Sequence, residues 1–364
     1  VQAMLPSRRP RRWALRRLSI ESSRKASLIN LPDTKSIQSE VNRAEKSTIV
    51  VKHTQGDWRF IIFPDGLLLV SRHDRIRGFL SVFIHGNRAP NMWNLIQLAF
   101  FRFAAGGWIP ARWFEPGLPA KDERAARTGH LKLEVVSHCW NYSHFLVYQL
   151  SSLVLFPPEK LDVTMTVFYS PEDKSTGELL AFFEGQKVPG VTWNWQPVPK
   201  QELFRRGIGR NRAALATQAD WVWFTDCDLM FRANCLDTLA DALQGRRDAL
   251  LFPEQEHTTD LLAEDNPMLQ AGTSGPQVLD IDTSSFTTRH ITKATGPLQI
   301  AHGDVCRAVG YCRNIGLYQQ PVESFAKCHE DRAFRWLLRS QGDPVQVPGV
   351  YRIRHVAKGR YSGN

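Results

Sequence analysis

Ala219-Asp220-Trp221-Val222-Trp223-Phe224-Thr225-Asp226-Cys227-Asp228-Leu229-Met230-Phe231 is the stretch from which the rest of the chain can be read. Large apolar residues fill its first half in the manner of a buried strand, and the run then delivers two carboxylates with one residue between them. Both acids stand where the strand ends. In an open α/β sheet that is where ligands bind, because the loops diverge there and leave a crevice. Two acids so spaced on extended chain suit Mg²⁺ or Mn²⁺. One carboxylate reaches the cation, the other holds its water shell or a sugar hydroxyl, and open coordination positions take phosphate oxygens. A lone Asp-x-Asp also occurs as two ordinary loop acids, so the flanking chain has to separate the readings.

Around this stretch, 364 residues with 43% hydrophobic content and 11 Trp are enough for one large or two modest cores. The net charge is +10, but residues 1 to 25 hold eight cations against Glu21, which is +7 and leaves +3 for everything else. A folded part so nearly neutral argues against a large nucleic-acid site. The arm, with Arg8-Arg9-Pro10-Arg11-Arg12-Trp13, reads either as a solvated tail or as a peripheral contact for anionic lipid. The six cysteines (139, 227, 235, 306, 312 and 328) form no Cys-x-x-Cys pair and read as buried thiols of a cytoplasmic protein. Met92 to Ile109 is the most apolar segment, broken by Asn94, Gln97 and Arg102, and reads as a buried helix or one lying at a membrane surface.

Three regions follow from the pattern. Residues 1 to 45 form a basic arm without apolar periodicity. Residues 46 to 120 form a small β-rich unit: strands Thr48 to Val51, Trp58 to Phe63 and Leu67 to Val70, with Pro64-Asp65-Gly66 as a turn, and then the helical segment. The third region, 131 to 356, alternates strand and helix and predicts parallel βαβ units. Its strands are Leu131 to Val136, Leu161 to Tyr169, the acid strand and Ala249 to Pro253. An Ala-rich helix over Gly207 to Thr217 leads into the acid strand. Residues 254 to 295 are polar, with weak periodicity, and read as a lid. Glu330-Asp331 opens a helix, and Val345 to Arg354 reads as a strand or hairpin ending at His355.

Taken together, these motifs resemble the inverting, metal-dependent glycosyltransferases of family 2, with the GT-A fold. Arg210-Asn211 precedes Asp226 at the family's spacing, Gly296 to Arg313 resembles the segment before its acid pair, Glu330-Asp331 its Glu-Asp motif, and His355 a late metal ligand. The resemblance covers about residues 131 to 356. The first loop departs from it, reading Ser137-His138-Cys139-Trp140-Asn141 in place of a Pro-Thr-Tyr-Asn turn, and residues 1 to 130 have no counterpart in it.

The resemblance implies a mixed, mostly parallel sheet flanked by helices and a nucleoside-diphosphate sugar as donor, most commonly a UDP-sugar. It implies a saccharide, lipid-linked or protein acceptor. Donor contacts would come from Ser137, Glu172, Arg210, Asn211 and Asp226, and Mn²⁺ or Mg²⁺ would sit on Asp226, Asp228 and His355. Asp331 would take the acceptor proton while Glu330 holds acceptor hydroxyls. Arg210 on a solvated helix face, Glu330-Asp331 as helix-capping acids and His355 as a core residue are the structural alternatives. Rival functions are nucleotidyl transfer, for which Ser137 to Tyr142 offers no Gly-rich loop, aspartyl-phosphate chemistry, and a non-catalytic sugar- or nucleotide-binding protein of the same fold.

Overall fold

The computed structural model describes residues 47–53, 56–63, 66–70, 92–325 and 328–355. The basic arm lies outside the described residues. The chain divides into two compact units, Val1–Phe100 and Phe101–Asn364. In the first, β1 (Ser47–His53), β2 (Gly56–Phe63) and β3 (Gly66–Val70) pair in sequence order as an antiparallel sheet. Helix α1 (Met92–Phe103) follows.

The second unit is α/β. Seven strands form its main sheet in the order β13-β9-β12-β7-β4-β5-β6. These are β4 (Leu131–Cys139), β5 (Leu161–Tyr169), β6 (Val191–Pro197), β7 (Trp221–Phe224), β9 (Leu250–Pro253), β12 (Gln299–His302) and β13 (Asp343–Val345). Strands β7, β4, β5 and β6 run parallel to one another, and β13 runs parallel to β9. β12 runs against both its neighbours. The sheet is thus mixed and mostly parallel, as expected. All four residues of β7 are buried, which fits a central strand covered on both faces.

Helices cover the sheet. α2 (Ser143–Leu155) is apolar nearly all round and buries Phe145, Leu146, Val147, Leu150 and Leu153, the behaviour of a helix enclosed on both sides. Its Ser151 and Ser152 hydroxyls accept from Leu279 N at 2.9 Å and Phe231 N at 3.1 Å. α3 (Lys174–Glu184) is capped by Asp173, which accepts from Thr176 N at 3.1 Å. α4 (Arg206–Ala216) leads into β7, and α5 (Cys235–Leu243), α6 (Gly303–Val309) and α7 (Glu330–Leu337) follow.

Residues 254 to 295 differ from the lid expected of them. They contain β10 (Gln255–Leu262) and β11 (Thr287–His290), which join β14 (Val350–His355) and β8 (Leu229–Phe231) in a second sheet ordered β11-β10-β14-β8. The strand signal was hidden because β10 buries Glu256, Thr258 and Thr259 in place of apolar residues. Glu256 is paired through both oxygens with Arg352, at 2.9 and 2.6 Å. β13 and β14 do not form a hairpin with each other: β13 pairs with β9, and β14 with β10 and β8.

Candidate active site

β4 and β7 lie side by side, with Val136 opposite Phe224. The chain moves outward from β4 through β5 to β6 and returns to β7 on β4's other flank. Strand order reverses between them, so their carboxyl ends open on a crevice. Ser137 stands on one side of it and Asp226 and Asp228 on the other.

Two guanidiniums on α4 hold Asp226. Arg206 and Arg210 are four residues apart and so share one helix face. Arg206 Nη1 is in a close ion pair with Asp226 Oδ1, and Arg210 Nη2 is 3.4 Å from the same oxygen. Arg206 Nη2 then reaches Glu330 Oε1 at 3.5 Å. Arg210, 0% exposed, also donates to the carbonyls of Thr225 and Gly296 at 3.2 Å each and to the Tyr311 hydroxyl at 2.9 Å. The Tyr311 hydroxyl donates to Gln299 Oε1 at 2.8 Å, and Gln299 Nε2 donates to Asp331 O at 3.1 Å. Two routes therefore tie the acid strand to the Glu-Asp pair that begins α7. Arg210 does not lie on a solvated helix face.

Charge follows from this geometry. Burial opposes ionisation of Glu330, but Arg206 and Arg210 outweigh it and hold the carboxyl below the ordinary 4.5. Burial likewise opposes the charge on Arg206, and Asp226 and Glu330 reverse that and raise its pKa. Cys328 Sγ donates to Glu330 Oε2 at 2.6 Å, and burial foremost pushes that thiol up to about 12. Asp331 is the more open acid of the pair, 31% exposed, with Oδ2 3.4 Å from Arg335 Nη1.

His138 lies under α4. Its ring stacks on Phe168, 5.1 Å between centroids, and both ring nitrogens are sealed from solvent with no hydrogen-bond partner among the described residues. Burial first, then Arg210 and Arg206, lower its pKa well below 6.5, so the imidazole is neutral at pH 7. A Cβ at Gly209 would overlap His138 Nε2 and lie 2.9 Å from the Phe168 ring, so glycine lets the helix approach the sheet. Ser137 Oγ is also sealed without a partner among the described residues.

Of the residues expected at a donor site, Asp226 and Arg210 meet in this cluster. Asn211 is turned to other work, its Oδ1 accepting from Tyr311 N at 3.0 Å. Glu172 is 60% exposed beside Lys200, at 3.8 Å, and Lys200 lies over the Trp140 ring. Asp228 O accepts from Ile353 N at 3.0 Å, which fastens β14 to the acid loop. His355 is buried against the rings of Phe145 and Tyr142, with centroids at 4.3 and 5.3 Å. Arg206, His138, Tyr311 and Gln299 carried no role in the sequence reading. The four-residue spacing of Arg206 and Arg210 just ahead of the acid strand was the one signal that could have found Arg206.

The metal expected on Asp226, Asp228 and His355 does not fit the residues as they are placed. Asp226 already has two guanidiniums on one oxygen. Among the described residues no three His, Cys, Asp or Glu side chains are grouped as ligands for one ion. A cavity of about 670 Å³ lies elsewhere, along β4 to β6, where Thr166 donates to Glu134 at 2.6 Å and accepts from Asn194 at 2.9 Å. None of the expected site residues lines it. No described helix is long and apolar enough to cross a membrane.

No protein-family model matches this chain, and no curated protein matches it. Among solved structures, it is similar to the mannosyltransferase PcManGT from Pyrobaculum calidifontis in complex with GDP-Man and Mn2+. The two are 16% identical over 72% of this chain and 68% of that one, with a TM-score of 0.35. A likeness that loose assigns neither family nor activity.

Proposed function

We propose that the Phe101–Asn364 unit is a nucleotide-sugar glycosyltransferase of GT-A type that transfers a sugar from a nucleoside diphosphate to an acceptor hydroxyl with inversion. The observation that carries this reading is the linkage of Asp226 to Glu330-Asp331 through Arg206 and Arg210, at the crevice where strand order reverses. A donor's diphosphate brings negative charge, and the strand ends carry guanidinium charge of the sign that suits it. Asp331 is the more open carboxylate and takes the acceptor proton as the acceptor oxygen bonds to the anomeric carbon and the diphosphate departs. One displacement of this kind inverts the anomeric centre. Glu330, buried and paired, keeps Arg206 in place rather than holding acceptor hydroxyls.

The resemblance to family 2 makes UDP-sugars the donors to try first, with GDP-sugars beside them. The test is release of nucleoside diphosphate from such donors, assayed with the full chain and with Asp331→Asn. The variant is expected to turn over about 10²–10⁴-fold more slowly while binding the nucleotide as before. Binding without turnover of any donor, whatever the acceptor supplied, would leave a sugar-nucleotide-binding protein. Failure to bind any nucleoside diphosphate would sink the reading.

A further inference from the structure

We infer that Arg206 supplies the positive charge that faces the donor's diphosphate, so that donor binding at this crevice needs no divalent cation. The inference rests on the glycosyltransferase reading and concerns which group of that site meets the phosphates.

Three observations lead to it. First, the acids a cation would seek are already met by guanidiniums: Asp226 pairs with Arg206 and Arg210, and Glu330 with Arg206. A divalent ion brought to Asp226 would meet both guanidiniums at short range, while an anion would relieve their crowding. Second, the two arginines differ in what they have left to give. Arg210 is fully buried and spends its Nη atoms on Tyr311, Thr225, Gly296 and Asp226. Arg206 keeps 19% of its side chain exposed, and its five N–H groups have two carboxylate partners, one through Nη1 and one through Nη2. Its Nε is sealed from solvent without a hydrogen-bond partner among the described residues, which leaves the second N–H of Nη1 and of Nη2 as the pair of donors that suits phosphate oxygens. Third, its orientation is fixed in advance. Asp226 and Glu330 grip it from two sides and the Phe325 ring lies 5.7 Å from the guanidinium carbon. A charge held so rigidly pays no reorganisation cost when the diphosphate arrives.

The role belongs to the bond-breaking step as well. As the bond from the anomeric carbon to the β-phosphate oxygen breaks, its electron pair stays on that oxygen and the departing diphosphate gains one negative charge. Arg206 donates hydrogen bonds to that group. The acceptor's proton goes to Asp331.

Titration of the unmutated full chain with UDP and GDP, in EDTA and then in MnCl₂, tests this together with UMP, GMP and the variants Arg206→Ala and Arg206→Lys. For one base, the diphosphate is expected to bind in EDTA with an affinity within about threefold of that in Mn²⁺. Arg206→Ala should weaken that diphosphate about tenfold or more and leave the monophosphate within about twofold. Arg206→Lys should restore part of the loss. A general structural defect would weaken both nucleotides alike, and thermal melting of each variant registers it. Binding that appears only with Mn²⁺, or a diphosphate affinity indifferent to Arg206→Ala, would overturn the inference and leave the glycosyltransferase reading standing. If Arg206→Ala does not fold, the comparison of EDTA with Mn²⁺ on the unmutated chain still decides. Absence of binding to every nucleotide under both conditions would remove the glycosyltransferase reading itself.

Discussion

Glu330 shows how one residue's setting becomes a measurable property of the whole chain. Its carboxyl is buried, which alone would favour the neutral acid, yet Arg206 and Arg210 hold it ionised and lower its pKa from 4.5. A carboxyl with a depressed folded pKa binds fewer protons than it does in the unfolded chain. Its stabilising contribution is therefore complete above about pH 4.5 and is lost as pH falls through the depressed value. Glu330→Gln should cost about 3–5 kcal/mol near neutral pH, as removal of one partner from a buried pair does. Thermal melts of wild type and variant across pH 7 to 3 should show that gap closing below pH 4.5. A gap of constant size would show that the charge on Glu330 contributes nothing to it. The acids of this cluster were legible in the sequence because the pair at the strand end and the pair at the helix start, each common alone, occur in one order and spacing. Arg206 was not, since it is one of 46 Lys and Arg residues and a linear reading does not say which of them turns inward. His355 is a metal ligand by the family resemblance and a core residue by the alternative, and the structure packs it against Phe145 and Tyr142.

At the scale of elements, α4 positions the cluster and the sequence marks how. Gly207-Ile208-Gly209 is poor helix material by propensity, so its presence in a helix has a packing cause. A Cβ at Gly207 would lie 2.6 Å from Tyr318 O, and one at Gly209 would overlap His138 and crowd Phe168. The two glycines bring α4 close enough for Arg206 and Arg210 to reach Asp226. Gly209→Ala should therefore destabilise the chain by roughly 1–3 kcal/mol, although alanine is the better helix former. Urea denaturation measures it, and a stabilised variant would show that the close approach is unnecessary. Elements whose apolar residues form one continuous or regular run were read well: β4, β5, β7 and β9 stand within three residues of the expected bounds. β10 escaped because its buried face is polar and balanced by partners on β14, information that two strands hold jointly and neither holds alone. β6 escaped for a related reason. Its residues are half-buried with no alternation, and Trp193 and Trp195 stack on each other at 5.5 Å on one face.

For the whole molecule, the order of strands and helices from Leu131 onward conveyed a mixed, mostly parallel sheet, while the start of the unit was harder to see. The sequence reading begins the third region at residue 131, leaving outside it the stretch from Pro110 to Arg127 with its prolines, glycines and charged run. In the structure this stretch is bound along the Phe101–Asn364 unit. Trp336 Nε1 donates to Ile109 O at 2.8 Å, Arg339 Nη2 to Glu115 O at 2.7 Å, and Asn314 Nδ2 to Glu115 Oε2 at 3.0 Å. The Phe114 ring meets Trp336 at 5.2 Å, and Arg124 Nη1 reaches Arg247 O at 2.8 Å. Prolines and glycines mark irregular backbone, and irregular backbone need not be a loose tether. Two shortened chains distinguish the boundaries. One beginning at Phe101 keeps every one of these contacts, and one beginning at Leu131 loses them all and uncovers the part of α7 that carries Trp336. At about 1 kcal/mol for each hydrogen bond and further loss from the bared tryptophan, several kcal/mol separate the two. At roughly 2–4 °C per kcal/mol, the chain from Leu131 should melt about 10 °C or more below the chain from Phe101. Since α7 begins with Glu330 and Asp331, the proposed function adds that the shorter chain should bind a nucleoside diphosphate more weakly. Equal melting temperatures and equal affinities would return the boundary to residue 131.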